Sequence, residues 1–184
     1  GGGTATTEEY NGTTWSETGD LPQSTSQLRG AGSTEAFIAF GGYPVASGSY
    51  EFNGSTWTVG GALIEGRCCL AGAGTQNAAL AFGGYGVSSP GTRLALTEEY
   101  NGTAWSEVNN MIAARGIHAG SGLQNEAIVM GGNAVNSAVE HYDGTTWAAG
   151  TNLIAGRDRH AAAGTSTSVI EFAGPGTTDT SNEY

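Results

Sequence analysis

The sequence predicts an all-β fold made of four copies of one four-stranded unit, and three observations predict it. The first is a repeat. EEYNGTTW (Glu8 to Trp15) returns as YEFNGSTW (Tyr50 to Trp57), EEYNGTAW (Glu98 to Trp105) and EHYDGTTW (Glu140 to Trp147). The second is local: in every copy an Asn-Gly or Asp-Gly pair separates two short β-forming runs, a strong hairpin signal. The third is periodicity, since no segment carries an apolar 3.6-residue period over two turns.

Spacing defines the units. The Trp residues stand at 15, 57, 105 and 147, spaced by 42, 48 and 42. A small pair follows each Trp 26 positions later: Gly41-Gly42, Gly83-Gly84, Gly131-Gly132 and Ala173-Gly174. The six extra residues of the longer interval therefore lie between Gly84 and Tyr100. The units run over about 16–57, 58–105, 106–147 and 148–184, the last completed by 1–15, and together form a single repeat domain of 184 residues.

Each unit opens on a strand of small residues: LRGAGS, LAGAGT, HAGSGL and HAAAGT. A polar turn leads to an apolar strand ending in the small pair: AFIAFGG, AALAFGG, EAIVMGG and VIEFAGP. The third strand carries an aromatic and the fourth the Trp, giving Tyr10/Trp15, Phe52/Trp57, Tyr100/Trp105 and Tyr142/Trp147. The Asn-Gly pair between them is expected to form a two-residue turn with positive φ. One four-stranded sheet cannot bury both faces alone, whereas sheets arranged in a ring pack face to face. Four strands per 42-residue repeat thus predict a β-propeller of four blades. Thr4–Tyr10 and Thr177–Tyr184 fill the same slot, so the ring is expected to close by a seam of N- and C-terminal strands. A surplus terminal strand could then pair with another chain, and the alternative to the closed ring is a larger ring or fibre whose blades are continued by neighbouring chains.

Seventeen acids face six bases, all Arg, for a net charge of −11. Such a surface repels phosphate, which argues against nucleic acid and anionic membranes as partners. With 12 % charged and 38 % apolar residues the composition is not that of a disordered chain. No apolar run approaches the ~18 residues of a membrane span, and no signal-peptide pattern opens the sequence. The adjacent Cys68 and Cys69 read as two small strand residues on opposite faces.

These units resemble the kelch repeat, in which an Arg and a small or His residue precede an apolar strand ending in Gly-Gly, followed by a Tyr and a Trp. Arg67, Arg115 and Arg157 each stand 10 residues after their Trp, and His118 and His160 follow two of them. The first unit departs with Thr25 at the Arg position, and the fourth with Ala173 in place of the first Gly. More narrowly, TEEYNGTTW, AGAGTQNAALAFGG and SEVNN look like kelch-like repeats of bacteriophage fibre, tail and capsid-appendage proteins. The resemblance implies a non-enzymatic structural or host-recognition module, located on a virion or outside cells. Its implied partners are other virion or fibre subunits and cell-surface glycan. A secreted, lectin-like sugar-binding propeller is the alternative.

The candidate sites follow from the repeat. The irregular loop Gly84 to Leu96 offers Tyr85, Pro90 and Arg93 as a recognition loop, because specificity is usually added on unique loops of a repetitive scaffold. Tyr43 and Tyr85 follow Gly-Gly pairs and are candidate rim aromatics for stacking on sugars. Glu9, Glu51, Glu99 and Glu183 recur before the third-strand aromatic and are expected to pair with the repeated Arg rather than to form a cation ring. Asn11, Asn53 and Asn101 head N-x-S/T sequons, but Asp143 fills the fourth turn, so turn chemistry is the better reading. His118, His141 and His160 are expected to be packed or hydrogen-bonded. No phosphate loop, G-x-S-x-G or H-E-x-x-H is present. The Tyr, His and Cys set of the kelch-bladed copper-radical oxidase is not matched either. No catalytic, cofactor or metal residue is assigned.

Overall fold

Small residues set the spacing of the molecule. Arg29–Gly32 (β3), Ala71–Thr75 (β8), Ala119–Leu123 (β13) and Ala161–Gly164 (β17) each pair antiparallel with the apolar run that follows. Those runs are Phe37–Phe40 (β4), Ala78–Phe82 (β9), Glu126–Met130 (β14) and Val169–Phe172 (β18). In three units the sheet continues through Ser49–Phe52 (β5), Thr97–Tyr100 (β11) or Val139–Tyr142 (β15). It ends on a strand that begins at Trp: Trp57–Val59 (β6), Trp105–Val108 (β12) or Trp147–Ala149 (β16). The computed structural model describes residues 3–44, 46–87 and 91–174. Within them every strand pairing is antiparallel and no helix occurs.

The expected fourth sheet is not assembled in this way. Glu8–Tyr10 (β1) and Trp15–Glu17 (β2) form a two-stranded sheet, as do β17 and β18. The first has the sequence of a unit's last two strands, the second that of its first two. Thr177–Tyr184, half of the expected seam, lies outside the described residues. In the loop after Gly84, Tyr85–Gly86 (β10) pairs with Arg67–Cys68 (β7).

Neighbouring sheets lock through glycine. The small-residue strands lie side by side in the order β3, β8, β13, β17. A Cβ on Gly72 would stand 2.6 Å from the Phe40 ring, and one on Gly120 only 2.4 Å from the Phe82 ring. Each Phe is fully buried and meets the Trp of the next unit, Phe40 with Trp105 at 4.9 Å and Phe82 with Trp147 at 5.2 Å between ring centroids. Burying such a side chain contributes about 1.5–3 kcal/mol. The Trp Nε1–H groups then donate backwards, from Trp57 to Thr7 (3.1 Å), Trp105 to Ser49 (2.9 Å) and Trp147 to Thr97 (3.0 Å). Because both faces of the middle sheets are covered, β9 and β14 are near-continuous apolar runs rather than alternating ones.

Two local expectations are corrected. Asn and Gly are not the paired centre of the hairpin turns. Asn11 Oδ1 instead accepts from the backbone N–H of Thr13 (2.9 Å) and Thr14 (3.0 Å), and Asn53, Asn101 and Asp143 repeat this. The side chain thus mimics a backbone acceptor, and only the Gly that follows takes positive φ, +93° at Gly12 and +88° at Gly102. Cys69, in turn, is not a strand residue, since its φ is +55°.

The repeated Arg is also paired differently. Arg67 bonds Glu98, one position before the expected Glu99, and Arg115 bonds Glu140, one position before the His141 that fills the same slot in its unit. Both guanidinium groups are fully buried, and each also donates to main-chain carbonyls, Arg67 to Ala81 and Arg115 to Gly131 and Ala138. The carboxylates in turn accept from the N–H groups of Ile64 (2.8 Å) and Ile112 (2.7 Å). Glu51 and Glu99 point to the opposite face, where Glu51 accepts from the Tyr100 hydroxyl and Glu99 from the Tyr142 hydroxyl. Adjacent strand residues face opposite sides, which is why Glu98 reaches Arg67 and Glu99 does not.

Candidate functional site

The four units share one unusual junction. Gln27, Cys69, Ile117 and Arg159, each two residues before a small-residue strand, hold φ values of 60°, 55°, 51° and 52°. Left-handed backbone at four non-glycine residues is costly. Hydrogen bonds between the junctions offset it. The Cys69 N–H donates to Gln27 O (3.4 Å), Ile117 to Cys69 O (2.9 Å) and Arg159 to Ile117 O (2.9 Å). A chain of backbone bonds therefore runs from unit to unit at this end of the molecule.

The loops that follow the Gly-Gly pairs bridge to the same segment, through Ser26 with Tyr43, Cys68 with Tyr85 and Gly116 with Asn133. Both rim aromatics therefore sit at this end, but they are not equivalent. Tyr43 is 61 % exposed. The Tyr85 ring lies over Gly116, whose Cβ would come within 2.6 Å of it, and its hydroxyl accepts from the Asn133 amide. Arg93 bridges to Tyr85 and donates from Nε to Asn133 Oδ1 (3.3 Å). So the extra loop is tied across to the next unit, and Tyr85 presents less free ring than the sequence suggests. Pro90 lies outside the described residues.

At this end a cavity of about 260 Å³ opens between all four small-residue strands, lined by Arg29, His118, His160 and by Ala and Gly backbone. Arg29 is the residue that sequence reasoning missed. It stands where the other units have Ala71, Ala119 and Ala161, and that departure was the available signal. Its guanidinium donates to Leu28 O (2.9 Å), and no carboxylate among the described residues lines the cavity. His118 is buried against the Phe82 ring with Nε2 3.2 Å from Phe82 O, so Nε2 carries the proton. Burial, reinforced by the Arg115 charge, pushes its pKa down to about 3 and keeps the imidazole neutral. Burial likewise lowers the pKa of His160.

Cys69 Sγ donates to Gln27 Oε1 (3.4 Å), and burial raises its pKa to about 11, leaving a protonated thiol that is a poor nucleophile. No cluster of His, Cys, Asp and Glu able to hold a metal occurs among the described residues, and no helix among them is long and apolar enough to cross a membrane. A second cleft, about 500 Å³, separates the N-terminal hairpin from the first full sheet and is lined by Tyr10, Trp15, Phe37 and Trp57. No family model matches the sequence, and no curated protein matches it.

Proposed function

We propose that the chain is a non-enzymatic structural and recognition module, a kelch-like β-propeller of four units. It serves as a bacteriophage virion component that presents one loop-bearing end to a host surface or to neighbouring subunits. The observation that carries this reading is the gathering of the junctions, the post-Gly-Gly loops and the lone Arg29 at one end of a repetitive scaffold. Repetition supplies the rigid frame, and the departures from it, Arg29, Tyr43 and the Arg93 loop, supply the specificity. The strongest charged pairs, Arg67–Glu98 and Arg115–Glu140, are enclosed between strands and hydrogen-bonded to backbone, which suits a structural role. Mass spectrometry of purified virus particles tests the reading. Its peptides are expected in the particle at a fixed ratio to the coat protein, and their absence there removes the virion role.

The exposed Tyr43 favours a second reading, a secreted lectin-like propeller. Aromatic rings on a rim stack on the apolar faces of sugars. On a glycan array the protein would then show discrete binders, and Tyr43→Ala would weaken them by roughly tenfold or more, the ~1.5 kcal/mol of a lost aromatic contact.

A further inference from the structure

We infer that the cavity between the four small-residue strands is a binding site for a carboxylate-bearing sugar, with Arg29 as its anchor. The inference names a ligand class for the recognition end proposed above and rests on that reading. Charge singles out Arg29. Of the six Arg, Arg67 and Arg115 are buried on Glu98 and Glu140, Arg157 lies 2.7 Å from Glu171, and Arg159 lies 3.3 Å from Asp158. Arg29 makes no ion pair among the described residues, and its one hydrogen bond there runs to Leu28 O, its chain neighbour. Most of the five N–H donors of its guanidinium are therefore open. Burial lowers the pKa of both His in the cavity wall, which leaves Arg29 as the one permanent charge among the described residues lining it. One cation balances a monoanion, and the planar fork of a guanidinium matches a carboxylate through two parallel bonds. The net charge of −11 weakens attraction for denser anions such as a phosphate chain.

The rest of the wall suits hydroxyl groups. Each of β3, β8, β13 and β17 is the last strand of its sheet, so one row of its N–H and C=O groups has no sheet partner. Ala and Gly side chains are too small to cover those groups where the strands line the cavity. A sugar hydroxyl both donates and accepts, and so can use either kind. Ser121 of β13 already donates its hydroxyl to Gly164 O of β17 (2.6 Å) in this way. An acidic peptide adding as a strand needs the length of one edge open, whereas here each edge is faced by the next. Tyr43 supplies an aromatic face at the same end. It is 61 % exposed, and its N–H donates to Ser26 O (2.9 Å), three residues before Arg29. Such a ring stacks on the apolar face of a sugar whose carboxylate reaches the guanidinium.

The test is calorimetric titration of the full chain with trigalacturonate and with its methyl ester, which keeps the sugar rings and removes the charges. Trigalacturonate is expected to bind at one site per chain, and the ester roughly tenfold or more weaker. Arg29→Ala installs the residue that the other units carry at Ala71, Ala119 and Ala161. It is therefore expected to leave Tm unchanged while weakening trigalacturonate by roughly tenfold or more. Arg159→Gln removes a charge that is already paired and exposed, and is expected to change the affinity by less than about twofold. Absence of trigalacturonate binding to the folded wild-type chain, equal affinity for the ester, or an unaffected Arg29→Ala variant overturns the site. An equal loss in Arg159→Gln assigns the attraction to the field of the whole end and overturns Arg29 as anchor. A tetraglutamate peptide that binds as tightly as trigalacturonate, with the same loss in Arg29→Ala, overturns the sugar. None of these titrations bears on recovery from virus particles, so the role and the ligand fail separately.

Discussion

Arg67 and Arg115 each place a full positive charge where water does not reach. Burial alone lowers the pKa of both, and Glu98 and Glu140 pull them back toward the charged form. Removing one partner leaves the other charge buried and unpaired, which costs about 3–5 kcal/mol. Arg115→Met is therefore expected to lower stability by that amount in denaturant melts, and Arg115→Met with Glu140→Leu by much less. His118 makes a pH-dependent contribution with a definite sign. Its folded pKa of about 3 lies below the ordinary 6.5, so between those values the unfolded chain binds the extra proton. The stability is fully present above pH 6.5 and falls as the pH drops toward 3. His118→Leu is expected to flatten the difference between melts at pH 6.5 and pH 4, with carboxylate effects cancelling in the comparison.

At the scale of the element, the turns show how a small side chain replaces backbone geometry. The Asn101 carboxamide holds the N–H groups of Thr103 and Ala104, both at 3.0 Å, while Gly102 adopts φ +88° with only Asn77 nearby. The demand on residue 102 is thus conformational rather than steric. Gly102→Val is expected to cost about 1 kcal/mol or more, read as a lower Tm, because a β-branched residue resists that φ. The hairpins and the Gly-Gly strand ends could be read from sequence because Gly, Asn and Trp mark them in every copy. Which acid meets the Arg could not be read from one unit, since Glu98 and Glu99 are adjacent and differ only in the face they point to. The first unit, with Thr25 in the Arg slot, carries Tyr50 in the slot of Glu98 and Glu140, and that joint change held the information across units. Arg29 was legible as a lone departure from Ala, but its place at the cavity needed the four strands brought together.

Across the whole molecule, stability is expected to be graded rather than uniform. Sheets stacked in a row are held mainly by their immediate neighbours. The middle sheets have both faces covered, whereas β2 and β17, at the two ends of the row, carry mostly exposed residues. Native-state amide exchange should therefore be slowest at Leu80 to Phe82 in β9 and fastest in β2 and β17. Equal protection along all units would contradict a stack held by neighbours.

The bonds from Trp57, Trp105 and Trp147 to hydroxyls of the preceding segment give the row of sheets a direction, with a donor on one flank and an acceptor on the other. A unit with both is interchangeable. A gene segment encoding one whole unit can be duplicated or lost in frame, and the flanking units still meet a matching donor and acceptor. The exception is Val139, which stands in the slot of Thr7, Ser49 and Thr97 and offers no hydroxyl. Whatever Trp follows the third unit must dock there by contact alone. Of the four equivalent slots, that joint is the one whose neighbour is not selected by a hydroxyl acceptor.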